Sequence, residues 1–284
     1  RREVSNPSEG VMMAMRPQGG YGVEVIATGD EILLGRITDT NSSWLARRFA
    51  ELGGRLSRVT CVGDSLEEIG RALLEALGRG NDLIVLTGGL GPSEDDLTIE
   101  AIGQALGRRV ELNPQAVEMI RGKCEELGVE LTPRRQRMAR LLEGSSPAPN
   151  QVGMAPGMVL EEGKTTIVAL PGIPDEMKAI FDGSIAPLVE RKATSRLVAR
   201  TVTVRIVWRA FFPLFEQLMR DFPRDYLKHA ATPPIRAEER ERVWDIKVDV
   251  VVEADSAEAG EREMDRLIRE LRARIEAKGG ELIT

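Results

Sequence analysis

The sequence predicts an α/β protein: a doubly wound, mostly parallel sheet followed by a second, smaller α+β domain. From Tyr21 to Phe181, apolar stretches of strand length alternate with amphipathic stretches of helix length, the pattern of consecutive β–α units. Some of these strands are unbroken apolar runs, such as Leu83-Ile84-Val85-Leu86, as expected for central parallel strands covered on both faces. Past Lys192 the pattern changes to long β-rich runs, Leu197 to Trp208 and Val243 to Ala254. The expected organisation is a poorly ordered polar tail over 1–20, the α/β domain over 21–193 and a small βαββα domain over 194–284.

The elements follow in order. Tyr21 to Thr28 is the first strand, and Asn41 or Ser42 caps a helix over Ser43 to Leu52 that buries Trp44, Leu45, Phe49 and Leu52. Leu56 to Val62 is the second strand. Gly63-Asp64-Ser65 then caps a helix from Leu66 to Leu77, with Leu66, Ile69, Leu73, Leu74 and Leu77 facing inward. The third strand, ending at Leu86, precedes a helix from Leu97 to Leu106. Asn113-Pro114 opens a helix to Leu127, with proline at its first position. Thr132-Pro133 opens a basic helix carrying Arg134, Arg135, Arg137 and Arg140. A loop rich in Pro, Ser and Gly spans 144–157. Gly157 to Glu161 and Thr165 to Leu170 form a strand pair, and a helix follows Pro174. In the second domain, Phe211 to Phe222 and Ser256 to Lys278 read as helices, the latter burying Met264, Leu267, Ile268, Leu271 and Ile275. Tyr226 to Ala230 reads as a short strand, and Ala231 to Arg242 as a polar connection.

Composition narrows the function. The chain has 284 residues and a net charge of −6, which argues against a general affinity for nucleic acid. No apolar run reaches the ~18 residues of a membrane helix, and residues 1–20 lack the apolar core of a signal peptide. Cys61 and Cys124 form no metal motif and read as reduced thiols of a cytoplasmic protein. His229 is the only histidine, so no histidine-based triad or zinc site is expected. Few Asn and Gln beside many Glu and Arg give a composition of thermophile character.

The stretch richest in chemistry is Thr87-Gly88-Gly89-Leu90-Gly91-Pro92-Ser93-Glu94-Asp95-Asp96-Leu97-Thr98. Its glycines permit positive φ and a close approach by a ligand. Its free amides beside a helix start suit a phosphate. Two further polar loops follow buried strands, at Gly29-Asp30-Glu31 and at Pro171-Gly172-Ile173-Pro174. In a parallel sheet, strand ends of this kind share one edge, where ligands bind, so the three loops are expected to meet at one cleft. The acids Asp30, Glu31, Asp95 and Asp96 would repel a bare phosphate. They would suit a hard divalent cation, which prefers carboxylate oxygens.

These segments resemble the signatures of the competence/damage-inducible CinA family and its molybdopterin-binding-like domain. Thr87 to Thr98 matches the family's glycine-loop signature, and Gly29 to Ser42 matches its other long one. Thr132 to Gln136, Asn150 to Gly157 and Leu170 to Met177 match in order as well. The resemblance implies a three-layer α/β domain of the kind found in molybdenum-cofactor synthesis proteins. It further implies a metal-dependent pyrophosphatase that splits ADP-ribose or a related nucleotide, and a homodimer. Many relatives carry an additional C-terminal domain that deamidates nicotinamide mononucleotide, for which this chain has no room. The Trp208 to Leu214 and Lys228 to Ala231 segments depart from the family pattern, so no site residue is taken from that half.

The expected catalytic residues are Asp96, Asp95 and Asp30, the same three holding Mg, Mn or Co; in the wider fold the aspartate at the place of Asp96 is the functional one. The expected substrate-binding residues are Gly29, Glu31, Asn41, Thr87, Gly88, Gly89, Leu90, Gly91, Pro92, Thr98, Pro171, Gly172, Pro174 and Glu176. Structural readings stand beside these: Asp95 as a helix cap and Asn41 likewise; Arg134, Arg135, Arg137 and Arg140 could meet phosphate, with a solvated basic face as their default reading. Two other functions stay open at this point, a molybdopterin- or nucleotide-binding protein without turnover and an idle interaction protein. Leu90 stands where the wider fold commonly has threonine, which leans away from a pterin.

Overall fold

A computed structural model describes residues 21–193, 196–223, 225–230 and 240–283. They fall into two compact units, Tyr21–Ala193 and the described residues beyond it.

The first unit runs β1 (Tyr21–Thr28), α1 (Asp30–Leu33), α2 (Thr40–Leu52), β2 (Gly54–Val62), α3 (Leu66–Gly78), β3 (Leu83–Thr87) and α4 (Thr98–Leu106). It continues with β4 (Val110–Leu112), α5 (Pro114–Leu127), α6 (Pro133–Gln136), β5 (Arg140–Leu142), β6 (Ser146–Ala148), β7 (Gly157–Glu162), β8 (Thr165–Leu170), α7 (Pro174–Ile180) and α8 (Ala186–Lys192). The main sheet has the order β2-β1-β3-β8-β7-β6. The β2, β1, β3 and β8 strands are mutually parallel, and β7 and β6 run antiparallel at one edge.

Strand residues divide between two cores. Ile26, Ile84, Leu86, Ile167 and Ala169 pack with Ile69 and Leu73 of α3, Ile102 of α4 and Ile120 of α5. Val23, Val25, Leu83, Val85 and Val168 pack on the other face with Leu45 and Phe49 of α2 and with Ile180 and Phe181. Both faces are therefore covered, giving three layers, and period-2 alternation of hydrophobicity disappears from the sequence. The one charge on the central strands is Glu24, fully buried. Its carboxylate accepts two bonds from Arg79, at 2.6 and 3.0 Å, and one from Asn81 Nδ2 at 2.9 Å.

Several local expectations need correction. The α2 helix begins at Thr40, because Asp39 rather than Asn41 or Ser42 caps it, accepting from the Ser42 amide at 2.9 Å. Leu66 and Leu74 are exposed; Ala72 and Ala76 take the inward positions beside Ile69 and Leu73. The basic segment is not one helix: α6 gives way to a 3₁₀ turn over Arg137–Ala139, and Arg140 lies on β5, paired with β4.

In the second unit, β9 (Arg196–Val207), α9 (Trp208–Asp221), β10 (Tyr226–His229), β11 (Val243–Ala254), α10 (Ala257–Glu276) and β12 (Glu281–Ile283) form an antiparallel sheet of order β10-β11-β9-β12 with two helices. The terminal strand β12 adds to the expected βαββα. The α9 helix starts at Trp208, three residues before the expected Phe211, and α10 buries the five expected residues. The His229 ring meets Phe211, Phe212 and Phe215 edge-on, with centroids 5.2–5.6 Å apart, a packing arrangement. Most of the polar connection expected over 231–242, and the whole tail over 1–20, lie outside the described residues.

Candidate functional site

The parallel strands deliver their carboxyl ends to one edge. There the Thr28 hydroxyl donates to the Thr87 carbonyl at 3.2 Å, and the Gly88 amide donates to the Leu170 carbonyl at 3.0 Å. The Asn41 amide donates to the Gly172 carbonyl at 2.8 Å, joining the first loop to the third. A β-carbon on Gly172 would sit 3.4 Å from the Gly88 α-carbon, so the second and third loops are in van der Waals contact. Gly88 has φ of +108°, and a β-carbon there would lie 2.5 Å from the Thr28 carbonyl oxygen. No other residue type fits that position.

Between the loops lies a cavity of about 580 Å³, within the 300–1,000 Å³ range of small-molecule sites. Its walls include Gly29, Glu31, Asn41, Thr87, Gly88, Gly89, Leu90, Gly91, Pro92, Asp95, Asp96, Pro171, Gly172, Pro174 and Glu176. Two expected residues stand elsewhere. Asp30 does not line the cavity; its carboxylate accepts from the Asp64 amide at 3.3 Å, and its own amide donates to Asp64 Oδ2 at 3.1 Å. This reciprocal pair staples the first loop to the turn after β2. Thr98 is fully buried beneath the glycine loop and does not line the cavity; its hydroxyl donates to the Gly88 carbonyl. The Gly88 amide is also committed, as above. The next three amides, those of Gly89, Leu90 and Gly91, donate no hydrogen bond among the described residues.

The structure adds Asp39, Asp64, Met138 and Met154 to the walls. Asp64 had a readable signal: Gly63-Asp64-Ser65 follows a parallel strand as the other three loops do. Burial raises the Asp64 carboxyl above its usual range. The bond from the Asp30 amide opposes this, and the charges of Asp30, Glu31 and Asp95 reinforce it. The Asp96 carboxylate accepts from the Ser93 amide at 2.7 Å, which fixes its orientation. Glu176 accepts from Asn150 Nδ2 at 2.6 Å, while Asn150 Oδ1 accepts from the amides of Val152 and Gly153. The segment Asn150 to Gly157 is thus held against α7.

Asp95 does not cap a helix: α4 begins at Thr98, preceded by Leu97 with no side-chain cap. Among the described residues no three Asp, Glu, His or Cys side chains are gathered closely enough to hold a metal ion alone. The donor chemistry nonetheless suits Mg²⁺, which takes one or two carboxylates and completes its shell with water and substrate phosphates. Cys61 and Cys124 are free thiols, Cys61 exposed and Cys124 buried. No helix among the described residues is long and apolar enough to cross a membrane.

The fold and the loop edge define an α/β ligand-binding domain with an acidic, glycine-floored pocket. Residues 24–191 match the family model described as "Probable molybdopterin binding domain". A protein of Aeropyrum pernix is 35% identical over 260 residues, covering 91% of this chain and 95% of that one. A CinA-like protein of Dictyoglomus thermophilum is 34% identical over 254 residues, covering 89% of this chain and 59% of its own length. The crystal structure of CinA from Thermoplasma acidophilum, whose function is given as unknown, shares 35% identity and a TM-score of 0.55, covering 60% of this chain and 98% of that one. The chain belongs to the CinA family and carries its molybdopterin-binding-like domain.

Proposed function

We infer that the protein is a metal-dependent nucleotide pyrophosphatase, hydrolysing ADP-ribose to AMP and ribose 5-phosphate. The observation that supports this best is the pairing, in one cavity, of the Gly89, Leu90 and Gly91 amides with the carboxylates of Asp64, Asp95 and Asp96. Amides stabilise the negative charge that develops on a phosphate oxygen in the transition state. In the reaction a water oxygen bonds to one phosphorus. The bond from that phosphorus to the bridging oxygen breaks, and the bridging oxygen leaves on the other phosphate.

Asp95 and Asp64 are the side chains to hold Mg²⁺, Mn²⁺ or Co²⁺, which when bound neutralises phosphate charge and lowers the pKa of water. Asp96, fixed by the Ser93 amide, is oriented to accept the proton of the attacking water. Asp30 does not share these roles: it holds Asp64 in place. A homodimer is the assembly the family resemblance implies.

The test is incubation of the purified protein with ADP-ribose and each metal, with AMP and ribose 5-phosphate quantified by chromatography. Metal-dependent release of both in equal amounts is expected; release by none of the metals removes the reading. One alternative, binding of a molybdopterin without turnover, is favoured by the family model's description. Its signature would be a pterin that co-purifies stoichiometrically.

A further inference from the structure

The cavity has an unbalanced charge. Its walls include Glu31, Asp39, Asp64, Asp95, Asp96 and Glu176, and no lysine, arginine or histidine. A dianionic pyrophosphate entering such a site needs cationic help beyond one divalent ion. Arg36 adjoins the cavity-lining Ile37, and the four arginines of the segment from α6 to β5 form a denser store of positive charge beside the glycine loop, which the structure sorts. Arg140 pairs with Glu100 at 2.9 Å, and Arg137 approaches the same carboxylate at 3.8 Å. Arg135 donates to the Glu130 carbonyl at 2.5 Å. Arg137 and Arg140 also border Gly89 to Gly91, but their charge is spent on Glu100; Arg134 hydrogen-bonds the loop, its Nη2 donating to the Ser93 hydroxyl at 3.3 Å, is exposed, and makes no ion pair among the described residues. Ser93 is the residue whose amide holds Asp96.

We propose that Arg134 is the phosphate-binding residue of this site, exchanging its bond to the neutral Ser93 hydroxyl for a charge-assisted bond to a substrate phosphate lying on the Gly89–Gly91 amides. A phosphate oxygen adds its own charge to that of the guanidinium, and Arg–phosphate pairs are among the strong, short hydrogen bonds. Its planar fork also matches a phosphate in two-point contact. The ligand class is a nucleotide with at least one phosphate. The proposal rests on the pyrophosphatase reading and adds to it a residue outside the cavity walls.

The experiment compares the wild type, Arg134→Gln, Arg134→Lys and Arg135→Gln as full chains in steady-state hydrolysis of ADP-ribose with Mg²⁺, with inorganic pyrophosphate as competing inhibitor. Arg134→Gln is expected to raise both KM and the inhibition constant of pyrophosphate by about ten- to hundredfold, the range for a hydrogen bond to a charged group. Arg134→Lys should recover part of that loss, and Arg135→Gln should behave as the wild type. Circular-dichroism melts should coincide for all four, since Arg134 is exposed. Unchanged KM and inhibition constant in Arg134→Gln overturn the proposal while leaving the pyrophosphatase reading intact, as does an equal loss in Arg135→Gln. A wild type that hydrolyses nothing overturns both.

Discussion

The Thr98 hydroxyl donates to the Gly88 carbonyl at 2.8 Å, so the helix that leaves the glycine loop carries the pin that holds the loop's first residue. The same hydroxyl lies 3.4 Å from that of Thr28, and Thr98 is fully buried. Its role is therefore to shape the loop, not to touch a ligand. Thr98→Val keeps the volume and leaves the Gly88 carbonyl without this donor. It should destabilise the fold by about 1–3 kcal/mol, whereas Thr98→Ser should stay near the wild type. Urea unfolding measures both.

Asp64 links stability to pH. Its folded-state pKa is raised, chiefly by burial. Such a group supports the fold fully below its unfolded value, and that support is lost as pH rises through the folded value. At neutral pH the ionised Asp64 is thus a burden on the fold. Asp64→Asn should raise stability at pH 7 relative to the wild type and remove the loss that begins above the ordinary aspartate value of 3.8. It should also lower hydrolysis. Denaturant midpoints from pH 3 to pH 7 follow the first effect. A midpoint difference that does not grow with pH would contradict the assignment.

Glu24 makes a separate prediction, remote from the cavity. Its fully buried carboxylate depends on Arg79, whose side chain is 33% exposed, and on Asn81. Removing one partner of a fully buried pair costs about 3–5 kcal/mol. Because Asn81 remains and Arg79 is partly in water, Arg79→Met should cost less, about 1–3 kcal/mol. Thermal unfolding checks the value, and ADP-ribose hydrolysis below the melting range should be unaffected.

The sheet and its binding edge were legible because they rest on long-range regularities. The apolar runs of β1, β3 and β8 and the polar residues that follow each of them place three loops together, and Gly88, Asp95, Asp96 and Gly172 stand where that pattern puts them. What stayed hidden depends on which way a single side chain turns. Asp30 and Glu31 are neighbours on a one-turn helix; Asp30 turns to the Asp64 amide while Glu31 faces the cavity, a difference no local pattern encodes. In sequence Asp64 reads as part of a helix cap, although it too follows a parallel strand. Arg140 continued a helical basic run in sequence, but pairing of β5 with β4 overrides that local preference. Strands of three residues, β4, β5, β12 and the β6 that interrupts the expected 144–157 loop, carry too little pattern to be seen at all.

Hydrolysis of ADP-ribose in the presence of Mg²⁺, Mn²⁺ or Co²⁺ by the wild type and Asp96→Ala, followed as AMP released over time, puts the shared acidic cavity to its sharpest trial. Metal-dependent release by the wild type, reduced about 10²–10⁴-fold in Asp96→Ala with an unchanged melting temperature, is the predicted result. Equal rates in the two proteins, or no release by the wild type with any of the three metals, would contradict it.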